Sequence, residues 1–326
     1  LTFGDLCTEY LRTLKEVPIN SKRKKKAPST IEDRERIIRE RLKPRWGMKQ
    51  PLAIKPHEIK AWLEAVQDGE GLENSTIDKI RRVMSLVYRD AQAKSLIPLG
   101  EANPVKHVHI PSSTGYEAIL VEPGQAFSII CLMKPFERLL TTLIAVTGLR
   151  IGEVLALRWK NLDKHRHLLH IVSNYVRGEW CEPKSNASKK PVVIHPIVMG
   201  LLDTWRKTTS YGGDDDLIFP SERCKGKQPR VPNMLVEDHL RPAARKVLGD
   251  WIDGHRFGFH NLRHGLASFF VEAGVDLKTI QNSLRWADPS ILLKTYAHSR
   301  TEKRIEAQGL MLDAMGLNEK TARLIQ

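Results

Sequence analysis

The stretch His260–His298 constrains the chain most, because it lays out three helices in succession, each with its own start or stop signal. It reads HNLRHGLASFFVEAGVDLKTIQNSLRWADPSILLKTYAH. The first helix carries Leu262, Leu266, Phe269 and Phe270 on its apolar side and stops at Gly274, a residue suited to a left-handed C-cap. Asp276 caps the second, with Leu277, Ile280 and Leu284 facing inward. Asp288-Pro289 opens the third, with Pro at the first helical position, and Tyr296 lies near its end. His260, Arg263, His264, Trp286 and Tyr296 are thereby placed as one polar set on a compact helical frame.

A chain of 326 residues points to two domains rather than one, and 41% hydrophobic residues supply material for real cores. Lysine and arginine outnumber the acids 52 to 38, a net charge of +14, with a pI of about 9.6. A surface this basic calls for a polyanion, nucleic acid being the commonest. Cys7, Cys131, Cys181 and Cys224 lie far apart and form no CxxC, which speaks against a zinc finger and for a reducing compartment. No apolar run is long enough to span a bilayer. No signal peptide is visible, and the chain begins at Leu1 rather than Met.

The first part of the chain is expected to be helical. Phe3, Leu6, Tyr10, Leu11 and Leu14 recur at helical spacing. The run Lys22, Arg23, Lys24, Lys25 and Lys26 is either a solvated loop or a set of phosphate contacts without sequence information. Ser29 and Glu32 suggest a capping box for a helix through Ile37, Ile38 and Leu42, stopped by Pro44 and Gly47. Lys55-Pro56 starts another, closed by Gly69. A fourth begins near Asn74 and carries Lys79, Arg82, Arg89 and Lys94 opposite its apolar face. That pattern suits a helix lying along DNA, or simply a solvated side. Proline, serine and glycine between Lys106 and Gly124 mark a linker. The expected division is a helical DNA-binding domain over 1–108, a linker over 109–122 and a second domain over 123–326.

In that second domain an apolar helix, Phe136–Val146, breaks at Thr147-Gly148, and a new one begins at Arg150. Arg150 needs an anion or a carboxylate, Glu153 being the nearest. Short strands are expected at Leu168–Val172, Glu179–Glu182 and Val192–His195. The turn Ser185–Ser188 would join the last two as a hairpin, with Lys184 at its mouth. A helix follows Pro196, and Arg241–Leu248 is a short basic helix. From Thr301 an amphipathic helix with Ile305, Leu310, Met311 and Met315 could pack on its own domain or on a neighbour. The fold class is therefore mainly α with a small antiparallel sheet.

No Walker loop, GxSxG, HExxH or dense carboxylate cluster is present. His260 and His264 have metal-compatible spacing, but Arg263 between them repels a cation and no acidic or sulfur ligand lies near, so no metal and no other cofactor is expected. What remains is a cationic set plus a tyrosine. Arginine forks can offset charge on phosphate oxygens in place of a metal. A tyrosine with pKa near 10 is ionised about one part in a thousand at pH 7, a deficit of about 4 kcal/mol, which arginines and a histidine can lower. A tyrosyl phosphodiester keeps the energy of the broken bond, so rejoining needs no ATP.

TGLRIGEVLALRW, PKSNASKKPVVI, HNLRHGLASFFVEAGVDLKTIQNSLRW and TYAH resemble, in order, the four signature blocks of the tyrosine recombinase (phage integrase) family. The resemblance covers most of 120–300, and the helical first part is similar to the family's core-site-binding domain. It implies a site-specific recombinase that joins DNA through a 3′-phosphotyrosine intermediate. Arg150 and Arg263 would clamp the scissile phosphate. Lys184, with Lys189 and Lys190 as rivals, would protonate the leaving 5′ oxygen. His260 would accept the tyrosine proton, Tyr296 would be the nucleophile, and Glu153 and His264 would support them. The partners implied are duplex DNA with specific recombination sites, further copies of the chain as a dimer on one site and a tetramer in synapsis, and accessory DNA-bending proteins; no membrane is involved. The place implied is the cytoplasm of a prokaryote, beside the nucleoid, in the integration or excision of a mobile element.

Two features depart from the family pattern. Arg285 and Trp286 stand where most members have glycine and histidine. Tryptophan can donate a hydrogen bond and pack, but cannot shuttle a proton, so acid–base duty shifts to His260 and Lys184. The interval from Trp286 to Tyr296 is ten residues, one longer than usual. Two other readings fit the same residues: a type IB-like topoisomerase, and a non-catalytic DNA-binding regulator using AGVDLKTIQNSLRW as a helix-turn-helix.

Overall fold

The computed structural model describes residues 1–16, 27–100, 103–111, 119–183 and 185–286, with Gln308 and Met311. The chain falls into two compact units, Leu1–Glu117 and Ala118–Gln326. Lys22–Lys26, Lys184, the helix expected from Asp288-Pro289, Tyr296 and nearly all of the helix expected from Thr301 lie outside the described residues.

The first unit is a helical bundle. Helix α1 (Phe3–Lys15) starts from a reciprocal cap between Thr2 and Asp5 and buries Phe3, Leu6, Cys7, Tyr10 and Leu14. Helix α2 (Pro28–Ile37) starts at Pro28 behind Ala27, with no side-chain cap, so the Ser29–Glu32 box is not what opens it. Nor does Pro44 stop it. The helix widens into a π segment at Ile38–Leu42 and then runs on through Lys43–Trp46. A wider turn lets the carbonyl that would strike the proline ring move aside, and the missing N–H costs no ladder bond there. The same device recurs in the second unit, where the π segment Val236–Leu240 precedes Arg241-Pro242 by the same spacing.

Helix α3 (Pro56–Glu70) ends at Gly71, in the left-handed region at φ 61°, rather than at Gly69. Helix α4 (Asn74–Ala93) packs against α1 through Ile77, Ile80, Met84, Val87 and Tyr88. The Tyr88 hydroxyl donates to the Pro51 carbonyl at 2.9 Å. Burial pushes the Cys7 thiol up to about 12, in keeping with a core residue.

In the second unit α5 (Pro123–Cys131), α6 (Pro135–Thr147) and α7 (Ile151–Leu155) precede a small sheet region. Strands β1 (Leu162–Asp163), β2 (Leu168–Leu169), β3 (Asn174–Val176), β4 (Glu179–Cys181) and β5 (Val192–Val193) are all short. They form one antiparallel sheet in the order β1-β2-β5 and a separate β3-β4 pair. The expected β4–β5 hairpin is therefore not made: β4 turns back on β3, Tyr175 opposite Trp180, while β5 pairs with β2, Leu169 opposite Val192. The β4–β5 connection is a loop between two sheets, which leaves its polar groups available for other work.

Helices α8 (Pro196–Thr208), α9 (Arg241–Leu248), α10 (Phe259–Glu272) and α11 (Leu277–Ser283) complete the unit. Helix α10 packs on α6. Leu140, Leu143, Ile144, Val154, Leu155, Trp159, Phe219 and Leu262 are core residues here. Gly274 takes φ 74° after α10, and Asp276 caps α11 by accepting from Thr279 N at 2.9 Å. Ile280 and Leu284 are buried, but Leu277 is half exposed.

Gly265 sets the approach of α10 to the chain entering the unit, since a Cβ there would lie 2.3 Å from the Val121 carbonyl oxygen, a backbone atom. Gly265→Ala is expected to destabilise the unit by about 1–3 kcal/mol. Gly124→Ala, whose Cβ would meet nothing within 4 Å, is expected to leave the melting temperature unchanged or raise it slightly. Thermal melting of the two variants checks the contrast.

Candidate active site

The site begins where α6 stops. Gly148 takes φ 63°, and its N–H bonds to the Ile144 carbonyl at 2.8 Å. A Cβ there would lie 2.4 Å from Leu284 Cδ2, so glycine serves both the turn and the close packing. Two residues on, Arg150 is the N-cap of α7. The Glu153 carboxylate reaches back to it twice, with Oε2 accepting from the Arg150 N–H and Oε1 from Arg150 Nη1, both at 3.0 Å. Gly152 lets β3 come close, because a Cβ there would lie 2.3 Å from Asn174 Oδ1 and 2.6 Å from the Tyr175 carbonyl oxygen.

Glu153 is almost completely buried and has a second cationic partner, Arg285, whose Nη2 donates to Glu153 Oε2. Arg285 Nη1 donates to the Ser188 carbonyl at 2.8 Å. Ser188 sits in the β4–β5 loop, and its Oγ is 3.5 Å from Arg150 Nη1 and 2.9 Å from Ser185 Oγ. The start of α7 and the turn after α11 thus meet at one carboxylate, and the loop after Lys184 joins them through Ser188, which contacts both arginines. Burial lowers the Arg285 pKa from its ordinary value, an effect opposed by Glu153 and assisted by Arg150.

Helix α10 brings in the histidines and the other arginine. His260 and His264, one turn apart, meet edge to face with ring centroids 4.5 Å apart. Partial desolvation of the ring, then the charges of His264, Arg263 and Arg150, lower His260 to about 4, so it is neutral near pH 7 although the residue is exposed. His264 is lowered for the same reasons, burial first and then Arg263.

The two guanidiniums that the family pattern assigns to the phosphate stand differently. The Arg150 side chain is 41% exposed, whereas Arg263 is 1% exposed. Arg263 donates to the carbonyls of Gly148 and Leu284 and lies 5.5 Å from the centroid of the Trp286 ring. Trp286 itself packs with Ala267, Ile280 and Leu284. Arg150, Glu153, His260, Arg263, His264 and Trp286 are therefore brought into one region. Lys184 and Tyr296 lie outside the described residues. Of the two rival lysines, Lys189 pairs with Glu182 at 3.0 Å and Lys190 is exposed.

Two participants escaped the sequence reading. Ser188 looked like a turn residue only, and Arg285 stood out only as a departure from the family pattern. A local signal existed for Arg285: its φ of 51° belongs to the region where glycine is at home, so an arginine there needs a reason.

The basic face of α4 is less open than its spacing suggests. Lys79 pairs with Asp33, Arg82 with Asp78, and Lys94 with Glu9 and Asp90. Arg89 is exposed and makes no ion pair among the described residues. Exposed pairs contribute only about 0–1 kcal/mol each, so a phosphate can still compete for these cations. No group of three or more potential metal ligands comes together, and no helix is long and apolar enough to cross a membrane, among the described residues.

The fold is that of DNA integrases. It matches a Tn1549 transposon integrase in complex with a circular intermediate DNA at TM-score 0.76 and 18% identity, covering 95% of this chain and 99% of that one. It matches a lambda integrase dimer bound to a COC′ core site at TM-score 0.65 and 18% identity, covering 91% and 95%. The chain belongs to the phage integrase family, whose model matches residues 128–303. Among curated relatives, the ICEBs1 integrase of Bacillus subtilis is 22% identical over 72% of this chain and 65% of its own length. Tyrosine recombinase XerD of Caulobacter vibrioides is 32% identical over 51% of this chain and 48% of its own. The chain thus accounts for less than two thirds of the length of these relatives.

The lowered His260 makes a pH prediction. With a folded value near 4 against 6.5 unfolded, the unfolded chain binds the proton more readily, so this contribution to stability is whole above about pH 6.5 and declines as pH falls toward 4. An imidazole NMR titration is expected to place the His260 midpoint near 4, and His264→Ala is expected to raise it; a midpoint at 6.5 would refute the assignment.

Proposed function

We propose that this chain is a site-specific DNA recombinase that cuts and rejoins strands through a 3′-phosphotyrosine link at Tyr296, in the integration or excision of a mobile element. The observation that carries the proposal is a half-exposed Arg150 held at a helix start by Glu153, beside a histidine kept neutral by desolvation and by its cationic neighbours. That arrangement offers a phosphate a fixed positive charge and a phenol an unprotonated imidazole as acceptor.

The Tyr296 oxygen attacks the scissile phosphorus, and the phosphorus bond to the 5′ oxygen breaks. His260 takes the phenolic proton, and Lys184 gives a proton to the leaving 5′ oxygen. Arg150 meets the nonbridging oxygens directly. Arg263, deep in the protein, adds positive charge through a low-dielectric interior and holds the Gly148 and Leu284 backbone in place. Rejoining is the same path reversed, with a 5′ hydroxyl as nucleophile, so neither step draws on ATP. Trp286 packs and places Arg263 rather than moving a proton.

The first unit and its basic residues Lys22–Lys26, Lys79, Arg82, Arg89 and Lys94 serve to bind duplex DNA at a specific recombination site, beside the nucleoid of a prokaryotic cell. The neighbouring folds are a dimer on a core site and, for lambda integrase again, a tetramer bound to a Holliday junction. Assembly of this chain as dimers on one site and tetramers in synapsis is part of the same proposal. An apolar groove of about 1240 Å³ in the second unit, lined by Phe127, Ile130, Val146, Leu201, Phe269 and Phe270, supports it. The amphipathic C-terminal segment of a neighbouring copy is the occupant that this reading places there.

A nicked suicide substrate tests the chemistry. The parent is expected to trap a covalent adduct on the 3′ end of the cut strand, and Tyr296→Phe to bind DNA equally and trap none. An adduct that survives the substitution excludes Tyr296; relaxation of a plasmid lacking any specific site would favour a topoisomerase. Lys184→Ala is expected to slow cleavage strongly on the natural substrate and far less when sulfur replaces the leaving oxygen, because a thiolate leaves without a proton. If Lys189→Ala shows that rescue instead, the donor is Lys189.

A further inference from the structure

We infer that Arg285 is a positioning residue whose charge neutralises Glu153 and so leaves the positive charge of Arg150 available to a phosphate. The inference rests on the reading of this pocket as a phosphate site.

The geometry is a triad. One buried carboxylate has a guanidinium on each oxygen, Arg150 on Oε1 and Arg285 on Oε2. The charges sum to one net positive. Remove Arg285 and the sum is zero: Arg150 then becomes the only guanidinium on a buried anion, and it is drawn to that anion rather than to a ligand. The exposures differ in the sense this division needs. Arg285 is 2% exposed, and among the described residues its two Nη groups reach Glu153 and the Ser188 carbonyl, while Arg150 keeps an open side.

The backbone at Arg285 supports a dedicated role. A buried arginine in the left-handed region, φ 51°, gives up backbone freedom that glycine would keep there, and it must also lose its hydration. Packing alone is a weak reason for that combination, since Leu284 and Trp286 on either side already fill the local core. The second hydrogen bond gives Arg285 a further consequence. Through the Ser188 carbonyl it fixes the far end of the loop that begins at Lys184, so that the same guanidinium steadies the start of α7 and the β4–β5 loop.

Arg285→Gly, Arg285→Lys and the double variant Glu153→Gln/Arg285→Gly are compared with the parent on a suicide substrate. The scissile group is either the ordinary phosphodiester or a methylphosphonate, which lacks one negative charge. Arg285→Gly is expected to slow cleavage of the phosphodiester by roughly ten- to a hundred-fold and that of the methylphosphonate by much less. Arg285→Lys, which keeps the charge, should fall in between. The double variant, whose net charge is again one positive, should recover part of the loss. Gel-shift affinity and melting temperature report whether each variant is folded.

Equal slowing of both substrates by Arg285→Gly means a purely structural role and overturns the inference, as does a rate equal to the parent's on the phosphodiester. Failure of the parent itself to form an adduct would instead strike the proposed function. In that case inorganic phosphate is titrated against the parent and Arg285→Gly, following the Arg150 guanidinium by NMR. Weaker binding by the variant upholds the charge division, and equal binding removes it.

Discussion

Glu153 is the point on which the second unit turns. A carboxylate this deeply buried is untenable unless its charge is met, and here it is met from two sides and from a backbone N–H. Two of these partners belong to Arg150, at the start of the same helix, and the third to Arg285 in the turn after α11, so satisfying one side chain ties two segments together. The glycines around it answer the same demand. Gly148 and Gly152 let Leu284 and β3 come near enough for the contacts to form, and in each case a Cβ would collide with what packs there. Breaking such a pair by removing one partner costs about 3–5 kcal/mol, which is why the arrangement has a single geometry rather than several.

The same electrostatics explain the histidines. Loss of hydration disfavours a charged imidazole, and the neighbouring guanidinium charge repels a further proton in the same direction. Neutrality of His260 at physiological pH thus follows from its desolvation and from the cations gathered beside it. The edge-to-face contact with His264 then holds the ring in place.

The sequence was most legible where local chemistry decides the outcome. Gly148, Gly274 and Asp276 end and begin helices as their residue types require, and Arg150 and Glu153 are one helical turn apart, so their pairing could be foreseen. It was least legible where partners are distant. Strands β4 and β5 each chose an earlier strand over one another, since two- and three-residue strands carry too little alternation to specify a neighbour. Pro44 looked like a stop because the π segment that accommodates it leaves no mark in the composition. The link from Arg285 to Glu153 spans 132 positions, and nothing local to either residue announces the other.

Arg263 and Arg285 together fix the turn that leads out of α11. Arg263 grips the carbonyls of Gly148 and Leu284, and Arg285, the next residue after Leu284, grips Glu153 and Ser188. The turn that leads out of α11 is therefore bolted to both the start of α7 and the β4–β5 loop before the chain reaches Trp286. Trp286 packs over Arg263 and closes this fixed point.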